Sequence, residues 1–128
     1  EIGFNYRLSN LSAALGCAQL EKLDYFLKLK RELALLYKDL YLDTDYAFIE
    51  EPNHAQSNYW LNAILAPNRE LRDKFIEITN EAGIHCRPAW YPMHKLPIYE
   101  KEMRGDLTVS EDIWDRLVNL PSSPTPID

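Results

Sequence analysis

Between Leu11 and Leu40 the chain repeats apolar residues at helical spacing and contains no proline. The stripe runs through Leu11, Leu15, Ala18, Leu23, Phe26, Leu27, Leu33, Leu36, Tyr37 and Leu40. Residues three and four apart share one helix face, and an apolar face must be covered, so this stretch restricts the fold more than any other. The spacing predicts one long helix, open to a kink and weakened only at Gly16, with Ser9 or Asn10 as its N-cap. At 128 residues the chain has the length of one domain. A helix this long exceeds what such a domain needs for itself, and helices of that kind commonly pack across a domain junction or subunit interface.

Downstream, the signals alternate. Tyr46–Ile49 is a short strand candidate, and Ser57–Leu65 (SNYWLNAIL) reads as a strand rich in aromatic and branched residues. Asn68 is placed to cap a second helix that buries Leu71, Phe75, Ile78 and Ala82 and stops at Gly83. Ile84–Arg87 is a strand candidate closed by Pro88, followed by a loop stiffened by Pro88, Pro92 and Pro97. Thr108 and Glu111 have capping-box spacing for a last helix carrying Ile113, Trp114, Leu117 and Val118, and NLPSSPTPID reads as a tail. The expected class is α/β, an α+β layer with helices against a small sheet.

Composition removes several classes of function. Twenty acidic against fourteen basic residues give a net charge of −6, which argues against general nucleic-acid binding. No apolar run approaches the roughly 18–20 residues that span a bilayer, and no signal peptide is evident, so a cytoplasmic setting is expected. Cys17 and Cys86 lack metal-type spacing, and Cys17 reads as a small buried apolar residue of the helix. The three histidines are scattered, so no metal site is expected. There is no nucleophile elbow or glycine-rich phosphate loop.

Three clusters carry chemistry. Asn5, Arg7, Ser9 and Asn10 stand at a helix entrance, where outward N–H groups and the helix dipole favour an anion. Plain capping explains the same residues and, on physics alone, is the better account. The second is His85 with Cys86–Tyr99, where prolines pre-place Arg87, Trp90, His94 and Lys95. Flat aromatic faces suit a ring or sugar and the basic groups suit a diphosphate; a loop pinned to the core by Trp90 and Tyr99 is an equal reading. The third is Asn58–Asn62, read as structural with Trp60 in the core.

GFNYRLSNLSAALGCAQLEKLD resembles the G-[YF]-N-[YF]-R-[ML]-[ST]-N-x-x-A-A-x-G-x-x-Q-L-E-x-L signature of the DegT-type sugar aminotransferases. SNYWLN, RPAWYPMHKLPIY and NLPSSP follow in that family's order, so the resemblance covers essentially the whole chain. The second motif is similar to the branch acting on UDP-linked 4-keto-6-deoxy N-acetylamino sugars, as in bacillosamine or legionaminic acid synthesis.

The resemblance implies residues 1–128 as the C-terminal, smaller domain of the aspartate-aminotransferase fold, with a mostly antiparallel sheet and 1–42 as the interdomain and dimer-interface helix region. It implies pyridoxal 5′-phosphate as cofactor, a homodimer that shares its sites, and ping-pong transamination from an amino acid, glutamate by family habit, to the keto sugar. Asn5 matches the residue that reaches a neighbouring subunit's cofactor phosphate, and Arg7 supports that anion site. Arg87, Trp90 and His94 match the loop at the mouth of the nucleotide-sugar site. The Schiff-base lysine lies upstream in the family, so no catalytic residue is assigned here and the chain alone is expected to be inactive. Two other readings stay open: a dehydratase of the same superfamily, and a non-catalytic nucleotide-sugar-binding or scaffolding domain.

Overall fold

The computed structural model describes residues 7–125. In chain order these form α1 (Asn10–Leu20), α2 (Leu23–Tyr41), β1 (Ala47–Phe48), β2 (Asn62–Leu65), α3 (Arg69–Glu81), β3 (Arg87–Pro88), α4 (Thr108–Arg116) and β4 (Leu117–Leu120). Two single 3-10 turns, Met93–Lys95 and Pro97–Tyr99, lie between β3 and α4. The strands make one sheet in the order β1-β2-β4-β3, antiparallel at every step. The α/β layer expected from the sequence is present.

The long N-terminal helix is two helices. The last turn of α1 tightens so that the Lys22 N–H donates to Gln19 O at 3.1 Å, and Lys22 leaves helical geometry at φ −106° and ψ 4°. α2 restarts with the Phe26 N–H on Lys22 O at 3.0 Å. Ser9 is the N-cap of α1, its Oγ accepting the Ser12 N–H at 3.2 Å. No residue of α1 is buried by the described residues, and Cys17, expected in a core, is exposed. Leu11 and Leu15 are 83% and 64% exposed, so the apolar stripe faces outward along this helix.

α2 turns several leucines outward: Leu35, Leu36 and Leu40 are exposed, while Leu29 and Ala34 are buried and Tyr37 and Tyr41 pack on the core. The Tyr37 hydroxyl donates to Pro121 O at 3.0 Å, which satisfies the polar tip of an otherwise apolar side chain. Burial pushes the Tyr41 phenol up to about 12.

The core sits on the α2 and α3 side of the sheet. Register pairs Ile64 with Val118, and both are fully buried, with Cys86 and Leu120 beside them and Phe75 and Ile76 of α3 packed on top. Burying an aliphatic side chain of this size contributes about 1.5–3 kcal/mol. β4 contradicts the sequence reading, which places Leu117 and Val118 in the last helix and Asn119 onward in a tail. The chain turns from helix to strand at Leu117 (φ −76°, ψ 133°) without glycine or proline to mark it. Val118 and Leu120 then alternate into the core between β2 and β3, and central burial overrides the weaker helical spacing.

Four further expectations are corrected. The strand over Ser57–Leu65 is only Asn62–Leu65, because the side chains of Ser57 and Asn58 take the N–H groups of Tyr59 and Trp60 at 3.0 Å each. Trp60 is therefore not a core residue; it is 66% exposed. Around α3, Leu71 and Ile78 are exposed while Arg72, Phe75 and Ile76 face inward. The buried Arg72 guanidinium is satisfied by Trp114 O at 3.2 Å and by Asp73. The capping box of α4 does not form: Asp106 Oδ1 accepts both the N–H and the hydroxyl of Thr108, at 3.0 and 2.6 Å.

Both end signals of α3 hold. Asn68 Oδ1 caps α3 through the Leu71 N–H at 2.9 Å. Gly83, at φ 80°, ends it with paired bonds from Gly83 to Asn80 O (3.0 Å) and from Ile84 to Thr79 O (2.8 Å). The strand expected over Ile84–Arg87 is displaced to Arg87–Pro88, an edge strand where proline costs the ladder little.

Candidate functional site

Arg7 is exposed and stands two residues before the Ser9 cap of α1; Asn5 lies outside the described residues. Ser9 meets one first-turn N–H itself, so capping and an anion site are not exclusive at this helix start.

Trp90 is brought to Trp60. Their ring centroids are 6.1 Å apart and their planes 15° from parallel, within the range of offset stacking. Trp90 is 70% exposed, so neither indole is buried in a core. Arg87, on edge strand β3, lies in register with Asn119, whose amide donates to Pro88 O at 3.2 Å. With His85, Leu61 and Ser122 it lines an open hollow of about 560 Å³.

His94 and Lys95 are turned elsewhere. Glu111 Oε1 accepts from His94 Nε2 at 2.7 Å, and Lys95 Nζ stands 3.7 Å from Oε2. Lys95 also lies over the Trp114 ring at 5.0 Å, and Tyr91 meets the same indole edge-on at 5.3 Å. The His94 hydrogen bond, then Lys95, hold the Glu111 carboxyl below the usual carboxylate range. The basic groups at 94 and 95 thus meet a carboxylate of α4, and the loop is fastened to that helix.

Sequence reasoning missed the residues that shape the Trp60 side. Lys30 Nζ donates to the carbonyls of Ser122 (2.7 Å), Trp60 (3.1 Å) and Tyr59 (3.4 Å). Partial burial lowers its pKa. Next to it, Arg31 binds Glu51 and donates to Ser57 O at 2.6 Å, while Glu51 accepts the Ser57 N–H at 2.6 Å. A signal for Lys30 exists: it shares a helical stripe with Ala34, Tyr37 and Tyr41, where an apolar residue is the norm.

Among the described residues no group of three His, Cys, Asp or Glu gathers to hold a metal. Among the described residues, no helix is long and apolar enough to cross a membrane.

Helices packed on a small antiparallel sheet match the fold of solved sugar aminotransferases. The model of the DegT/DnrJ/EryC1/StrS aminotransferase family matches residues 1–126, and the chain belongs to that family. Over 124 residues it is 36% identical to GDP-perosamine synthase of Escherichia coli O157:H7, covering 97% of this chain and 34% of that protein. It is 32% identical over 87 residues to GDP-4-keto-6-deoxy-D-mannose 3-dehydratase of Yersinia pseudotuberculosis, covering 67% of this chain and 22% of that one. The chain spans about a third of the length of the synthase. Among solved structures, Helicobacter pylori PseC, an aminotransferase of pseudoaminic acid biosynthesis, superposes with a TM-score of 0.85 at 23% identity, over 97% of this chain and 34% of PseC. That likeness concerns the fold. Aminotransferases of the family use pyridoxal 5′-phosphate.

Proposed function

We propose that this chain is the C-terminal third of a pyridoxal-phosphate-dependent transaminase acting on a nucleotide-linked 4-keto-6-deoxy sugar. An amino acid, glutamate by the family resemblance, gives the amino group. The observation that carries the reading is the family match over residues 1–126, which runs through both the helix entrance and the tryptophan loop. The enzyme works in the cytoplasm as a homodimer whose two copies share each site, with residues 1–42 at the junction. The 128-residue chain alone turns over nothing.

The residues present fit one end of the cofactor. A guanidinium at Arg7, the amide of Asn5 and the first-turn N–H groups of α1 are donors of the right chemistry for a phosphate. Lys30, the lysine whose pKa burial lowers, spends its donors on three carbonyls and is not a nucleophile. When bound, pyridoxal phosphate supplies the electron sink that carries the amino group between substrates. The chain's own part is to bind and orient. Arg7 and Asn5 hold the phosphate, Trp90 offers a flat face to the nucleotide-sugar, and Arg87 offers charge to its diphosphate. His94, held by Glu111, fixes the mouth of the site.

The nucleotide is UDP on the resemblance of Arg87–Tyr99 to the bacillosamine branch. The 36% identity to a GDP-perosamine synthase supports GDP as a second reading. The test is incubation of the full-length protein and glutamate with UDP- and GDP-linked 4-keto-6-deoxy sugars, followed by mass spectrometry. Transfer to one of them, with release of 2-oxoglutarate, is expected. Loss of water from the sugar instead establishes the dehydratase reading, and binding without turnover establishes the scaffold.

A further inference from the structure

Trp60 and Trp90 come from different segments yet stack while exposed, 66% and 70%. The described residues leave both rings uncovered, and local restraints hold each of them in place. For Trp90 the restraint is the prolines at 88 and 92. For Trp60 it lies in the backbone. Tyr59 sits at φ 46°, a left-handed conformation that is strained for a residue with a side chain. Asn58 Oδ1 accepts the Trp60 N–H at 3.0 Å. Both carbonyls of this turn point to one ammonium, Lys30 Nζ, whose third carbonyl partner is Ser122 O.

An ammonium has three protons, and here three carbonyls receive them, which fixes a side chain that otherwise has four free torsions. Ser122 is itself tied to the sheet, its Oγ accepting the buried Asn62 N–H at 2.8 Å. Lys30 therefore joins α2, the turn before β2 and the segment after β4 at one point.

We propose that Lys30 is a positioning residue of the substrate site: it holds the Tyr59–Trp60 turn so that Trp60 backs Trp90, and the paired indoles form one flat face for the planar base of a nucleoside diphosphate. The inference rests on the function proposed above. Arg87, exposed on β3 three residues before Trp90, complements the diphosphate charge. Trp60, which the sequence places in the core, becomes the backing ring of the site, behind Trp90.

The experiment uses the full-length protein with Lys30→Met and Trp60→Phe. Paired indoles give an exciton couplet in circular dichroism, and an indole face is quenched in fluorescence by UDP or GDP. In Lys30→Met the couplet should collapse and the nucleotide Kd and sugar KM should rise about three- to tenfold, with kcat and the glutamate KM unchanged. Trp60→Phe leaves every Lys30 bond in place, so the same rise there, at an unchanged melting temperature, reports the indole face itself. A couplet that survives Lys30→Met overturns the positioning role. If Lys30→Met does not fold, Trp60→Phe decides, and an unchanged Kd and KM in that variant overturns the proposal. Should the protein aminate no nucleotide sugar, the proposed function fails while couplet and quenching still judge Lys30; wild-type protein that no nucleotide quenches overturns this inference.

Discussion

Glu111 Oε1 accepts the hydrogen bond of His94 Nε2 at 2.7 Å, and this contact fastens the proline loop to α4. The other oxygen of the same carboxylate faces Lys95 at 3.7 Å, and Arg104 donates to His94 O at 3.2 Å. The loop bearing Trp90 is thus held at its C-terminal end by a surface ion cluster.

The cluster has a pH signature. The folded-state pKa of Glu111 is depressed, chiefly by His94, so its contribution is present above the unfolded carboxylate pKa and disappears as pH falls through the folded one. Glu111→Gln should lower the melting temperature at neutral pH, and the gap to wild type should close on titration into the acid range. A gap that stays constant with pH would show that the carboxylate charge is not what fastens the loop.

Signals confined to a few consecutive residues were legible in the sequence, and signals that depend on what covers a face were not. Ser9, Asn68 and Gly83 do at their helix ends what local geometry requires of them. The apolar stripe of 11–40 established helix but not its break at Lys22, nor that Leu36 and Leu40 face outward while Tyr37 and Tyr41 face in. β4 was hidden because Leu117 and Val118 satisfy helical and strand spacing alike; only pairing with β2 and β3 distinguishes them. In the candidate site, the motif singled out Trp90, which stacks on Trp60. Its partner Trp60 was misplaced because Ser57 and Asn58 divert the backbone from the strand.

Ser122 supports the far end of β2. Its Oγ accepts the Asn62 N–H at 2.8 Å and donates to Leu120 O at 2.8 Å, and Asn62 is 1% exposed. Ser122→Ala strands a buried donor and should cost about 1–3 kcal/mol, read as a lower urea midpoint with unchanged slope. A loss below about 0.3 kcal/mol would mean that water replaces the hydroxyl.

Gly83 stops α3 at φ 80°, and a Cβ there would meet nothing within 4 Å. Gly83→Ala therefore isolates backbone strain from crowding. It should cost about 1–2 kcal/mol. Asparagine, which tolerates this conformation better, should recover part of that loss in the same denaturation series. Equal stability of glycine and alanine would sink the argument.

At the α1 entrance, capping and cofactor binding separate by mutation. Ser9 Oγ caps through the Ser12 N–H at 3.2 Å, so Ser9→Ala should cost about 0.5–2 kcal/mol of stability. It leaves the donors proposed for the phosphate in place. Asn5→Ala and Arg7→Met test the proposed phosphate role in the full-length protein. Pyridoxal phosphate should then be retained about tenfold less tightly, read from its bound absorbance after dialysis. A cap serves the helix's own N–H groups, whereas the role proposed for the guanidinium and amide is toward an outside anion, so Ser9→Ala is read in stability and the other two variants in retention. Retention lost in Ser9→Ala and kept in both other variants would reverse the assignment.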